Sequence, residues 1–151
     1  AGLMQLKPQA ANDTIFLENK QGRLTAAELA ILKKYLGNRV NGPLKQKYLS
    51  HKIKENNYTG NVVTRADMMN PEFNILCGAM LLGILIDQHQ EAGALRLDKV
   101  LLRYGLGYFF KPGEGNVEQV LDRVKTKSTE AYSYILKVAG KNGLLETQAT
   151  V

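Results

Sequence analysis

The chain has 151 residues, of which 44% are hydrophobic and 23% are charged; this composition suits one compact domain and excludes an intrinsically disordered chain. The formal net charge of +6 predicts attraction to a polyanion, such as nucleic acid, an anionic membrane or the bacterial cell wall, without choosing among them. Glycines and a terminal aspartate interrupt the longest apolar run, Ile75–Ile86, so no membrane span is predicted.

The first predicted helix covers Thr25–Leu36, because a capping box opens it, leucines recur on one face and Gly37 follows its last residue. After the turn-forming triplet Asn41–Pro43, the spacing of apolar residues predicts a second, basic helix over Leu44–Asn56. The short run Asn61–Thr64 has strand character, and it could equally be an extended loop.

A third helix is predicted from Asn70 and Pro71, which suit the N-cap and the first helical position. This helix is apolar nearly all round, so we place it at the centre of the fold. Three further helices each carry apolar residues at i, i+3, i+4 and i+7: Leu97, Val100, Leu101 and Tyr104; Val117, Val120, Leu121 and Val124; and Ala131, Tyr134, Ile135 and Val138. The predicted fold class is therefore mainly α.

The sequence offers no convincing nucleophile or metal site. The single cysteine, Cys77, lies in an apolar run and is predicted to be a small buried hydrophobe. His51 and His89 lie among polar residues and are predicted at the surface, so there is no Cys–His pair and no zinc ligand set. We expect neither a metal nor a cofactor.

Four segments, in this order, carry a family resemblance. They are GLMQLKP over Gly2–Pro8, NPEFNI over Asn70–Ile75 with the nearby Gly78, VLLRYGLG over Val100–Gly107, and the helix Glu130–Val138. Together they resemble the soluble-type lytic transglycosylases, lysozyme-like enzymes that cleave the glycan strands of peptidoglycan. The resemblance implies a single lysozyme-like transglycosylase domain over residues 1–151, part of a larger polypeptide, with a helical insertion at about residues 12–69.

The resemblance also implies a mechanism that uses one carboxyl group. A glutamic acid protonates the glycosidic oxygen between N-acetylmuramic acid and N-acetylglucosamine, then accepts the proton of the muramic C6 hydroxyl as a 1,6-anhydro ring closes. No water is consumed, and no cofactor is needed. By the same resemblance, Met4 and Gln5 line the substrate cleft, while Tyr104 and Tyr134 orient the acid or a sugar amide.

The family's catalytic glutamate, which precedes a serine, lies on the helix before the GLMQ segment. We therefore expect that residue upstream of Ala1 and no catalytic acid within this chain, where every Asp and Glu follows the motif. No pattern places one of them in the apolar pocket that a proton donor needs. Glu18, in an apolar-flanked run, is the first candidate otherwise. A second departure is Gly105, which replaces an asparagine whose amide would contact the sugar.

Each assigned side chain also has a purely structural interpretation. Met4 could belong to the core, and Tyr104 and Tyr134 could be buried tyrosines, since each continues an apolar helical stripe. Gln5 is the better functional candidate, because an amide in an apolar segment needs hydrogen-bond partners and a glycan acetamide supplies them.

Two functions from different classes remain. The first is a peptidoglycan lytic transglycosylase of a phage virion or of bacterial secretion or remodelling machinery, located in the virion or in the periplasm and cell envelope. Its partners would be peptidoglycan glycan strands and other proteins of the virion or secretion apparatus. The alternative is a non-catalytic lysozyme-like module that binds glycan or has a structural role. Nucleic-acid binding rests on charge alone and is not expected.

Overall fold

Helices dominate the described residues, 4–47 and 62–139, of this computed structural model, so the predicted mainly α class is confirmed. The chain comprises two units, Ala1–Ile84 and Leu85–Val151. Gly2, Leu3, the predicted helical residues 48–56, His51 and Asn61 lie outside the described residues.

The first unit begins with a helix that sequence patterns did not predict. Helix α1 (Pro8–Lys20) has its proline in the first turn, where no amide partner is needed. The residues buried along it are Ala11, Asn12, Thr14, Ile15 and Glu18. Their spacing is helical, but more than half of them are polar, so the apolar periodicity that predicts a helix is hidden.

Helix α2 (Ala26–Leu36) confirms the first predicted helix, since the Thr25 side chain accepts a hydrogen bond from the Glu28 amide at 3.1 Å. The second predicted helix is wrong where it is described, because α3 (Asn41–Lys45) begins at the supposed turn and ends before Gln46. Gln46 is extended, and its carbonyl accepts a hydrogen bond from the buried Asn12 side chain at 2.8 Å.

Residues 62–64 form no strand. Thr64 instead caps the short helix α4 (Arg65–Met68) through a reciprocal capping box with Asp67. Helix α5 (Pro71–Gln88) follows and starts at the predicted proline. Within the first unit, α5 is buried at Phe73 and Cys77, whereas Ile75 is 47% exposed. The helix is therefore less completely enclosed than its apolar sequence suggested.

The second unit contains the end of α5, the hairpin strands β1 (Gln90–Glu91) and β2 (Ala94–Leu95), and helices α6 (Leu97–Leu106), α7 (Val117–Lys125) and α8 (Thr129–Ala139). The last three confirm predicted helices. Their apolar faces meet in one cluster, which is formed by Leu102, Val120, Leu121, Val124 and Ile135.

The predicted apolar face of α8 needs one correction. Tyr132 packs against the core cluster, whereas Tyr134 is 54% exposed. Tyr132 and Ile135 are three positions apart, so they share a helical face, and Tyr134 projects from its edge. A buried structural role for Tyr134 is therefore excluded.

Candidate functional site

The GLMQ segment is fixed to α5 by a buried asparagine. The Asn74 side chain, fully buried, accepts a hydrogen bond from the Met4 amide at 2.7 Å. Its own amide group donates to the Met68 carbonyl at 3.1 Å. Because both polar ends of Asn74 are satisfied inside the unit, its burial is compatible with a stable fold and sets the position of Met4.

A glycine on the next turn of the same helix makes room for Met4. A methyl group added at Gly78 would lie 2.6 Å from the Met4 Cγ and 2.7 Å from its Cβ. Rotation of the Met4 side chain could move Cγ, but the backbone fixes Cβ, so the segment itself would have to shift. Asn74 and Gly78, both positions of the second motif, therefore contact the same residue of the first motif.

Gln5 adopts an unusual backbone conformation next to this contact. Its φ is 54°, in the left-handed region that non-glycine residues rarely occupy, at a cost of about 1 kcal/mol. The residue is exposed, while the following Leu6 is only 3% exposed. The backbone thus buries Leu6 and leaves Gln5 at the surface, so the sequence argument that placed its amide among apolar residues is wrong.

The two predicted tyrosines belong to the second unit, whereas Met4 and Gln5 belong to the first. Tyr104 is half-buried on α6 and Tyr134 is exposed on α8. Beside Tyr104, a side chain added at Gly105 would meet nothing within 4 Å. A larger side chain, such as the asparagine expected from the resemblance, would therefore fit at position 105.

Three acids of the described residues are buried, although no sequence pattern placed an acid in an enclosed pocket. They are Glu18, Asp67 and Asp98. Each lies beside an arginine: the shortest distances are 3.7 Å from Glu18 to Arg23, 2.7 Å from Asp67 to Arg39, and 2.9 Å from Asp98 to Arg96. An arginine beside a carboxylate is the opposite of the apolar surroundings that a proton donor requires.

The Asp67 carboxylate is one example. Burial alone would raise its pKa, but hydrogen bonds from Arg39 and from the Thr64 backbone and hydroxyl outweigh burial and lower the pKa below its ordinary value. Arg39 binds both carboxylate oxygens, each at 2.7 Å. Asp67 is therefore a structural anion that holds α4 to the segment after α2.

A polar cluster around His89 was missed by sequence analysis, which assigned this histidine to the surface. His89 is half-buried, and its Nε2 lies 3.1 Å from the Arg103 Nη1. Burial first, and then the Arg103 charge, lower the pKa of His89. The same Arg103 nitrogen donates to the Gln88 side chain at 2.7 Å. No signal in the sequence could have revealed this cluster, because it depends on how the end of α5 packs beside an arginine of α6.

The remaining expectations concern Cys77, metals and membranes. Cys77 is buried as predicted, and burial raises its pKa to about 12. Within residues 4–47 and 62–139, no group of three or more His, Cys, Asp or Glu side chains is arranged to hold a metal ion. None of the helices described has the length and apolar character to cross a bilayer.

No protein-family model matches this chain, and comparisons with curated proteins and with solved structures found no match. The resemblance to lytic transglycosylases stays an expectation that rests on the four sequence segments.

Proposed function

We propose that this chain belongs to a lysozyme-like lytic transglycosylase, which binds peptidoglycan glycan strands and cleaves the bond between N-acetylmuramic acid and N-acetylglucosamine. One observation carries the proposal. Met4 of the GLMQ motif is held by Asn74 and accommodated by Gly78, two positions that the second motif specifies. If the two motifs had matched by chance, we would not expect their residues to contact each other.

In this proposal Gln5 contacts the substrate. Residues held in a left-handed backbone conformation cluster at functional sites, and Gln5 is such a residue, exposed beside the contact between Met4 and α5. The amide of Gln5 can both donate to and accept from the N-acetyl groups of a glycan. Tyr104 and Tyr134 orient a sugar amide or the catalytic acid.

The cellular setting belongs to the proposal as well. A positive net charge suits a partner rich in carboxylates and phosphates, which the bacterial wall is. We place the protein in a phage virion or in the periplasm and cell envelope, where it opens peptidoglycan during infection, secretion or wall remodelling, with other proteins of that apparatus as partners.

A second function, a glycan-binding or structural module without turnover, is favoured by a different observation. Each buried acid of the described residues lies beside an arginine, so none has the surroundings of a proton donor. The two functions share the glycan-binding surface and differ in the release of 1,6-anhydro products.

The test is binding of the purified chain to insoluble peptidoglycan and to soluble peptidoglycan oligosaccharides. We expect Gln5→Ala to weaken oligosaccharide binding about tenfold, as expected for loss of well-aligned amide hydrogen bonds. Gln21→Ala, at another exposed glutamine of the same unit, is the matched control and should bind as the wild type does.

Repeating the titration at high salt removes the charge-driven part of binding and leaves the part due to amide contacts. Absence of salt-resistant binding by the wild-type chain would contradict the proposed function. Equal binding by Gln5→Ala and the wild type would remove Gln5 from the site.

A further inference from the structure

Phe109 is the most exposed of the large hydrophobic side chains in the described residues. It is 68% exposed and lies in the loop between α6 and α7. Leaving an aromatic ring in water forgoes a large burial energy, which a ligand that covers the ring would recover.

The neighbouring Tyr108 holds Phe109 in place. The two rings meet edge to face, with centroids 5.2 Å apart and an interplanar angle of 89°. We call this pair the aromatic platform. A T-shaped contact of this kind restricts the rotation of the exposed ring, so the platform loses little conformational entropy when a ligand covers it.

Tyr108 is in turn fixed by the polar cluster described above. Its hydroxyl accepts a hydrogen bond from the Gln88 amide group at 3.0 Å, and the Arg103 guanidinium lies 4.6 Å from the centre of its ring. Arg103 also donates to the Tyr108 carbonyl from Nε at 2.9 Å and from Nη2 at 2.6 Å. Both the backbone and the ring of Tyr108 are therefore fixed to α5 and α6, and the platform is preorganised.

The platform follows directly after the third motif. Helix α6 ends at Leu106, and Gly107, with a φ of 123° that favours glycine, turns the chain outwards. The Phe110 amide donates back to the Gly107 carbonyl at 3.0 Å and closes the turn. Thus the motif segment that carries Tyr104 also sets the direction in which Tyr108 and Phe109 project.

Cations lie beside aromatic rings elsewhere in this unit too. The Lys127 ammonium is 6.0 Å from the Phe110 ring, and the Lys125 ammonium is 5.6 Å from the Tyr132 ring. The surface of the second unit therefore combines aromatic faces with positive charge. A ligand that fits it has flat apolar faces and carries negative groups.

We propose that the aromatic platform is a sugar-binding subsite, in which Phe109 stacks against the apolar C–H face of one pyranose ring of a peptidoglycan strand. Lys125 and Lys127, which lie beside other aromatic rings of the same unit, attract the carboxylates of the stem peptides. This inference rests on the proposed function, because the glycan is what that function supplies. Single-stranded nucleic acid also has flat rings and negative charge, but its recognition uses successive stacked bases, and the platform presents one exposed ring.

The chain has no tryptophan, so Phe109→Trp introduces a single fluorescent reporter at the platform. A tryptophan keeps the stacking surface, and its emission should shift as muropeptide-bearing oligosaccharides are added. Leu136→Trp, at another exposed apolar position of the unit, is the matched control and should not respond. Phe109→Ala should weaken oligosaccharide binding about tenfold while Leu136→Ala leaves it unchanged.

The outcomes separate this inference from the proposed function. If Gln5→Ala weakens binding but Phe109→Ala does not, the platform is not a subsite and the proposed function stands. If the wild-type chain binds no oligosaccharide, the proposed function and this inference both fail. If the tryptophan at position 109 responds to oligothymidine and not to glycan, the inference is overturned in favour of nucleic-acid binding. Equal melting temperatures of the variants exclude unfolding as the cause.

Discussion

Two glycines of α5 differ in what surrounds them. Gly78 lies against the inner atoms of Met4, whereas the nearest atom to a methyl group at Gly83 would be the Arg23 Nη2, at 3.8 Å. Both are in the same helix and the same unit. Alanine stabilises a helix interior by about 1 kcal/mol relative to glycine. This contribution is the same at both positions, so any difference between the two substitutions reports the surroundings.

We expect Gly78→Ala to lower the free energy of unfolding by about 1–2 kcal/mol, because the clash with Met4 exceeds the gain in helix propensity. It should also weaken glycan binding, since the GLMQ segment must shift. Gly83→Ala should raise the free energy of unfolding by about 0.5–1 kcal/mol and leave binding unchanged. Urea denaturation and oligosaccharide titration measure both effects. Equal stabilisation by the two substitutions would contradict the described packing of Met4.

At the scale of elements, a backbone hydrogen bond and an ion pair join the β1–β2 hairpin to α6. The Arg96 amide donates to the His89 carbonyl at 2.9 Å, and the buried Lys99 side chain reaches Glu91 of β1 at 2.8 Å. His89 lies against Arg103 of the same helix. The charges near His89 are therefore those of Arg103, Glu91, Lys99 and Asp98.

Burial, followed by Arg103, lowers the pKa of His89 from its ordinary value of 6.5, so the folded state favours the neutral ring. Its contribution to stability is complete above pH 6.5 and is lost as the pH falls through 6.5 towards the lower folded-state pKa. We expect the melting temperature to fall between pH 7 and pH 5 more in the wild type than in His89→Gln. His51 is present in both proteins and cancels. Parallel pH profiles of the two proteins would contradict a lowered pKa of His89 in the folded state.

The sequence predicted the helices whose buried face is apolar and missed the elements whose signals are polar. Helices α5 to α8 have leucine, valine and isoleucine at helical spacing. Helix α1 buries Asn12 and Thr14, and the hairpin turn uses Ala92, at a φ of 52°, where asparagine or aspartate would have been diagnostic. Helix α1 is held by tertiary hydrogen bonds, such as that from Asn12 to Gln46, and such bonds cannot be predicted from one sequence.

The candidate site shows the same division. The motifs suggested Met4 and Gln5 as cleft residues, and Asn74 and Gly78, the neighbours of Met4, stood in a second motif. The buried acids and the cluster of His89 with Arg103 were not foreseen. Pairs such as Asp67 with Arg39 and His89 with Arg103 join separate elements of the chain, so they depend on how helices pack and cannot be read from one sequence.

For the whole molecule, the distribution of acids bears on turnover. We expect the 151-residue chain to release no 1,6-anhydro muropeptides from purified peptidoglycan, as measured by mass spectrometry, because each buried acid of the described residues lies beside an arginine. A transglycosylase digest of the same substrate is the positive control. Products that disappear in Glu18→Gln would contradict this expectation and make Glu18 the acid.

The burial of Cys77 has a kinetic consequence. A thiol reacts as thiolate, and a group with no exposed surface and a pKa of about 12 offers neither thiolate nor access while α5 stays packed. Since the chain has no other cysteine, its labelling by a thiol reagent can proceed only through states in which α5 has opened. When α5 recloses faster than the reagent reacts, the labelling rate is proportional to the population of those open states. Thiol labelling of Cys77 therefore measures local opening of the first unit.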